Sequence, residues 1–298
     1  MREPELTYEG RALARPDDEI VDQGLGFDIG TLFSRRRALR VLGLGAAGVA
    51  LTACGTGSDS SSATTSSTAS SPSSAGLVEI PDETAGPFPG DGSNGPDILA
   101  ESGVVRGDIR SSFGTSTTTA AGVPMSLELT IANLAQGGSA FAGVAVYVWH
   151  CDRDGKYSMY SDGVENENYL RGVQIADDGG RVKYTSVFPA CYDGRWPHIH
   201  FEVYPDQASI SDSANAIAIS QVALPKDVCE KVYAESGYGQ SRSKLAEVTL
   251  TDDNVFGDDS GATQLATVTG DVTSGYTVSL NVGVDTTTNP TGGPPRSR

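Results

Sequence analysis

Pro197-His198-Ile199-His200-Phe201-Glu202-Val203-Tyr204 sets apolar residues at every second position. A period of two belongs to a β-strand, whose successive side chains point to opposite faces. Ile199, Phe201 and Val203 would anchor such a strand in a core, while His198 and His200 project together from its other face. Met125–Ile131 and Arg181–Val187 alternate in the same way. Val144–Trp149 (VAVYVW) is apolar on both faces, as a central strand would be. Gln264–Val268 and Tyr276–Val282 flank Thr273-Ser274-Gly275 and read as a hairpin. Only Pro225–Glu235 looks helical, with Pro at its first turn and Val228, Val232 and Tyr233 spaced for one face. The expected fold is all-β: an antiparallel β-sandwich with long loops and one short helix.

Outside these strands the composition changes sharply. Ser34-Arg35-Arg36-Arg37 precedes Val41–Ala53, an uncharged apolar run too short for an ordinary membrane span but suited to a signal peptide. Its Ser-Arg-Arg start is twin-arginine-like, and Ala38, where such signals often carry Phe, leaves a Sec route open. Leu51-Thr52-Ala53-Cys54 reads as a lipobox with Cys54 as the lipidated residue. Residues 1–54 are therefore expected to be a signal peptide and 55–76, rich in Ser and Thr, a flexible tether. Residues 77–286 form one domain and 287–298 a disordered tail. The expected location is the outer face of the cell membrane, held by the lipid, or the medium beyond it.

The formal net charge is −17. Residues 1–54 are nearly balanced, with seven Arg against eight acidic side chains, so the acidity belongs to the domain. Binding to a phosphate backbone needs clustered Lys and Arg, which argues against nucleic acid as a partner. Cys151, Cys191 and Cys229 lie in the domain, where one pair could form a disulfide outside the cell. They show no C-x-x-C spacing of the kind zinc sites use. Nothing in the sequence fixes an oligomeric state.

Two of the three histidines stand at i and i+2 on the strand that opened this reading. Two neutral imidazoles on one rigid face make half of a transition-metal site. Cys191-Tyr192-Asp193-Gly194-Arg195-Trp196 leads into them, and a turn at Asp193-Gly194 folds Tyr192 back towards the pair. A phenol loses its proton beside a strong cation, and phenolate is a hard oxygen donor that suits Fe(III) better than Zn(II) or Cu(I). A second phenol lies beyond Trp149, where a turn at Asp154-Gly155 presents Tyr157, with Tyr160 as a local rival. His150 sits at a strand end and reads as structural or solvent-facing. Trp196 could pack on an aromatic ligand or simply in the core.

Three phrases carry a family resemblance: Gly143–Ser158 (GVAVYVWHCDRDGKYS), Tyr169–Gln174 (YLRGVQ) and Cys191–Phe201 (CYDGRWPHIHF). Together they resemble the intradiol ring-cleavage dioxygenases, the family of catechol and protocatechuate dioxygenases. Glu83–Phe88 (ETAGPF) resembles a segment near the start of that catalytic domain. The likeness is strong over residues 140–204 and gives little after 205.

The resemblance implies that Tyr157, Tyr192, His198 and His200 ligate a non-haem Fe(III). It selects Tyr157 over Tyr160 because the former lies eight residues after Trp149. It also implies that Tyr192 leaves the metal and acts as a base, and that Arg195 stabilises negative charge on the activated ring. The implied substrates are a small aromatic diol and O2, and the implied product is a cis,cis-muconate-type diacid. A thiol pair at Cys151 and Cys191 is a further hypothesis, because both stand close to the ligands. A cupin-like oxygenase fits poorly, since Glu202 follows the H-x-H pair too closely. The alternative of another class is a non-catalytic cell-surface β-sandwich that binds aromatic or polysaccharide ligands.

Overall fold

A computed structural model describes residues 76–290, together with a small pairing of β1 (Thr7–Tyr8) and β2 (Arg11–Ala12). The expected export signal, lipobox Cys54 and tether otherwise lie outside the described residues, as does most of the expected tail. Among the described residues no helix is long and apolar enough to cross a membrane.

Two sheets make the domain. The first joins β3 (Pro124–Asn133), β4 (Ser139–Ala140), β7 (Arg181–Val187), β10 (Thr267–Asp271) and β11 (Gly275–Val284). The second runs β6 (Arg171–Ile175), β5 (Ala145–Trp149), β8 (His198–Tyr204), β9 (Ala218–Ala223). Between them Leu127, Leu129, Ile131 and Val182 meet Val146, Val148, Ile199 and Phe201, all buried. Burial of these apolar side chains is the main favourable term for a domain of this kind.

The all-β expectation holds, with three differences in detail. β11 pairs with β3 in parallel, from Tyr276 opposite Met125 to Val284 opposite Asn133, so the sandwich is not wholly antiparallel. Two short helices follow β9: α1 (Lys226–Val232), within the expected helical stretch, and α2 (Ser241–Glu247), which the periodicity did not reveal. The expected hairpin is β10 and β11, but Gln264–Ala266 do not belong to it. Ala223 N–H donates to Gln264 O, and Ala266 N–H donates to Ala223 O, which ties that stretch to the end of β9.

The faces of β8 separate as the alternation requires. Ile199, Phe201 and Val203 enter the inter-sheet core, whereas His198 and His200 point to the outer face of the second sheet. That outer face is also buried. Residues from 85 to 104 cover it in a second apolar cluster with Tyr147, Trp149 and Tyr157. The histidines therefore sit beneath a loop layer, not between the sheets.

Candidate metal centre

His198 and His200 are placed by β8, whose pairing with β5 sets His200 opposite Trp149. The imidazole of His200 stacks on that indole with centroids 4.8 Å apart and planes 6° from parallel. His198 is fixed at its other nitrogen, Nδ1, 2.6 Å from Trp196 O. A carbonyl can only accept, so Nδ1 carries the proton and Nε2 presents its lone pair. Such an outer contact is how protein ligands are commonly oriented for metals.

Tyr157 follows a tight loop built on Asp152. One carboxylate oxygen accepts from Asp154 N and Lys156 N, both at 2.9 Å, and the other accepts from Tyr169 Oη at 2.9 Å. Gly155 has φ +83°, which a residue with a side chain rarely adopts, and a Cβ there would meet Tyr192 Cβ at 3.5 Å. Tyr192 is turned inward at Asp193-Gly194, with Gly194 at φ +74°. Tyr160, the local rival, faces elsewhere: its hydroxyl donates to Asn94 Oδ1 and accepts from Gly90 N.

The four expected ligands converge. His198 Nε2 and His200 Nε2 are 3.0 Å apart, Tyr192 Oη is 3.1 Å from His198 Nε2, and Tyr157 Oη is 3.2 Å from Tyr192 Oη and 3.5 Å from His198 Nε2. Donors bound at roughly 2.0–2.2 Å to one first-row ion stand about 2.8–3.6 Å from one another, so these separations fit a shared ion. Two imidazole nitrogens facing at 3.0 Å in buried surroundings need a proton or a cation between them. Burial, with Arg195 adding repulsion, pushes His198 down to about 3, and burial with His198 nearby holds His200 well below its ordinary value. Both rings are thus neutral, as ligands must be.

Burial raises both phenols above the ordinary range, so only a strong local cation would make them phenolates. Among the described residues no three His, Cys, Asp or Glu side chains gather for a metal. Tyrosines complete the set, and a donor set of two imidazoles and two phenol oxygens suits a hard trivalent ion such as Fe(III).

Arg195 lies beside this cluster with a side chain only 15% exposed. Its Nε donates to Asp253 Oδ2 at 3.1 Å and Nη2 to Gln221 Oε1 at 2.7 Å. Gln221 in turn donates to Thr84 O at 3.0 Å. Sequence reasoning missed both partners. Gln221 sits in a strand whose buried polar residues hid its pattern, and no spacing links Asp253 to Arg195. Gly86 of the ETAGPF segment reaches the site, since a Cβ there would lie 3.3 Å from His200 Cε1.

The other expectations resolve simply. His150 is buried and structural, its nitrogens 2.7 Å from Cys151 O and 2.8 Å from Ser186 Oγ. Trp196 packs in the core and donates Nε1–H to Leu224 O, so it serves no ligand-stacking role. The disulfide hypothesis is corrected: Cys151, Cys191 and Cys229 are all free and buried. Cys151 points its thiol at Ala190 O and Cys191 points its own at Arg195 O, not at each other. Burial, with Asp193 and Asp253 nearby, pushes the Cys191 thiol up to about 12, which leaves it unreactive.

A protein-family model described as Dioxygenase matches residues 94–207, which include Tyr157, Tyr192, Arg195 and both histidines. That match covers residues 94–207, under half of the chain. An intradiol ring-cleavage dioxygenase of Tetranychus urticae has a similar structure, with TM-score 0.58 and 19% identity over 73% of this chain and 99% of that one. A second solved dioxygenase gives TM-score 0.58 at 20% identity, covering 72% and 98%. The domain therefore shares the fold of these two solved proteins. The chlorocatechol 1,2-dioxygenase of Rhodococcus opacus is 30% identical over 56 residues, 19% of this chain. That stretch spans 22% of the curated relative's length.

Proposed function

We propose that this dioxygenase domain cleaves a catechol-type ring between its two hydroxylated carbons, using Fe(III) held by Tyr157, Tyr192, His198 and His200, to give a cis,cis-muconate-type diacid. The observation that carries the reading is the convergence of two imidazole nitrogens and two phenol oxygens within 3.0–3.5 Å of their neighbours, beside a largely buried arginine. A binding module for aromatics or polysaccharides has no use for such a donor set.

The ion, when bound, supplies Lewis acidity that activates a chelated catecholate towards O2. The rest is done by the chain's own groups. His198 and His200 hold fixed positions because the Trp196 carbonyl and the Trp149 ring set their orientations. Tyr157 is almost wholly buried, whereas Tyr192 is partly exposed and lies on the approach side. Its Oη, as phenolate, is the base within reach to take a proton from a substrate hydroxyl. Arg195 offers a fixed positive charge in a partly dry pocket, where it stabilises anionic character on the ring. Phe88, 5.2 Å from the Tyr157 ring, limits water at that side.

We also propose that the domain works outside the membrane on the tether that begins at Cys54, a reading supported by the sequence alone. The activity is tested by oxygen uptake with catechol and analysis of the product. A muconate-type diacid formed with consumption of one O2 is expected. A semialdehyde, or no uptake by iron-loaded protein, would sink the proposal.

A further inference from the structure

Arg195 does not stand by itself. Asp253 is 2% exposed and belongs to a segment after α2, well beyond the residues that match the family model. All four of its carboxylate contacts are used. Oδ2 accepts from Arg195 Nε at 3.1 Å and from Trp196 N at 2.6 Å, and Oδ1 accepts from Val255 N at 2.8 Å and Phe256 N at 3.1 Å. One buried carboxylate thus grips the guanidinium and the backbone of the next residue, while its own loop holds it from behind.

The same C-terminal third clamps the other side of the Tyr192 turn. Cys191 N–H donates to Ser241 Oγ of α2 at 3.1 Å, and Lys244 of α2 pairs with Asp193. The Tyr192-Asp193-Gly194 turn is thus held at Cys191, at Asp193 and at Trp196. Gln221 holds Arg195 Nη2, and Nη1 takes no partner among the described residues. With Nε and Nη2 committed, the direction of the remaining donor edge is set by Asp253 and Gln221 together.

Electrostatics agree with this geometry. Burial works against a charged Arg195, and the Asp253 carboxylate, with Tyr192 and Tyr157 adding to it, offsets that cost and keeps the guanidinium cationic. Burial likewise opposes ionisation of Asp253, but Arg195 and the Trp196 N–H hold its carboxyl below the usual range. A buried pair of this kind is costly to form, and its partner contacts fix one arrangement.

We propose that Asp253 is a positioning residue for the ring-cleavage site: it aims the Arg195 guanidinium and fixes the end of the turn that carries Tyr192. The inference rests on the proposed dioxygenase activity. A side chain that acts only through Arg195 must lose its influence on turnover once Arg195 is gone.

The test is a double-mutant cycle of Asp253→Asn, Arg195→Ala and the pair, each loaded with iron and assayed with catechol. Asp253→Asn is expected to lower kcat about ten- to a hundredfold with little change in KM, as for a group that matters mainly in the transition state. In the Arg195→Ala background it should change kcat by less than about twofold. Equal losses in both backgrounds, or an unchanged kcat with only a lower melting temperature, would overturn the proposal. Should Asp253→Asn not fold, Asp253→Ser removes the charge while keeping a hydroxyl acceptor for the Trp196 amide, and it takes the same place in the cycle. A readout without iron runs in parallel: Asp253→Asn should speed hydrogen exchange at Arg195 Nε by tenfold or more, and unchanged exchange would also overturn it. If the wild-type protein turns over no catechol, the activity has failed, and the exchange measurement still decides whether Asp253 holds Arg195.

Discussion

Replacing Arg171 with methionine removes the most heavily bonded buried cation in the domain. Arg171 is 1% exposed and makes five hydrogen bonds: Nε to Ser158 Oγ at 3.1 Å, Nη1 to Pro89 O at 2.7 Å and Tyr147 Oη at 3.1 Å, and Nη2 to Phe88 O and Ser158 O, both at 2.9 Å. It therefore ties the segment over the site to the loop that follows Tyr157. Without it, Pro89 O keeps the Tyr147 hydroxyl as a donor and Ser158 Oγ still donates to Tyr169 O. Ser158 O and Phe88 O lose their donor. Two such carbonyls cost about 2–6 kcal/mol, at about 1–3 kcal/mol each. Relief of the arginine's own desolvation offsets part of this, so the net loss is expected near 2–4 kcal/mol, roughly. For a domain of this size that lowers Tm by about 5–15 °C. Urea and thermal unfolding of the iron-free protein, wild type against Arg171→Met, give the value directly. A loss below about 1 kcal/mol would refute the idea that these bonds fasten the layer over the site.

Three other outcomes follow from the same geometry. Glu83 is held at about 8, because burial disfavours its carboxylate and Asp258 adds repulsion. The native state then keeps this proton at pH values where the unfolded chain, at its ordinary 4.5, has lost it. Its contribution to stability is full below that value and fades as pH rises through about 8; Glu83→Gln should flatten that fall in pH-dependent unfolding, and an unchanged profile would count against it. Cys151, Cys191 and Cys229 should resist a thiol reagent in the native protein and all react in denaturant, whereas only one reactive thiol there would mean a disulfide exists. Gly86→Ala should weaken iron binding, since φ is +73° and the added methyl meets His200; an affinity equal to wild type would show that this segment does not press on the ligand.

The parts of the fold that were legible in the sequence are those where one face is apolar and the other is not. β3, β7 and β8 alternate cleanly, and β5 is uniformly apolar because both its faces are covered. β6 begins Arg171-Gly172, which lacks the apolar alternation of a strand, yet the arginine is buried against its five acceptors. β9 carries Ser220 and Gln221 at fully buried positions, where hydrogen bonds replace the apolar character that periodicity looks for. The parallel partnership of β11 with β3 joins distant segments, and nothing local in either strand encodes it.

The convergence of the four proposed ligands was legible for a similar reason. His198 and His200 share a strand face, Tyr157 follows the glycine turn at Gly155 and Tyr192 precedes the one at Gly194, so local spacing and family resemblance agreed. Asp253 and the α2 contacts were not legible, because they depend on the C-terminal third folding back over the Tyr192 turn. A disulfide looked plausible from cysteine number and expected compartment, but pairing depends on side-chain direction, which those features do not encode.

The visible absorption spectrum of the iron-loaded domain tests the four-ligand centre most directly. Two phenol oxygens and two imidazole nitrogens around Fe(III) predict an intense phenolate-to-iron charge-transfer band that is absent with Zn(II) and strongly reduced in Tyr157→Phe. Protein that binds one equivalent of iron yet stays colourless, or whose colour is indifferent to that substitution, would contradict the account.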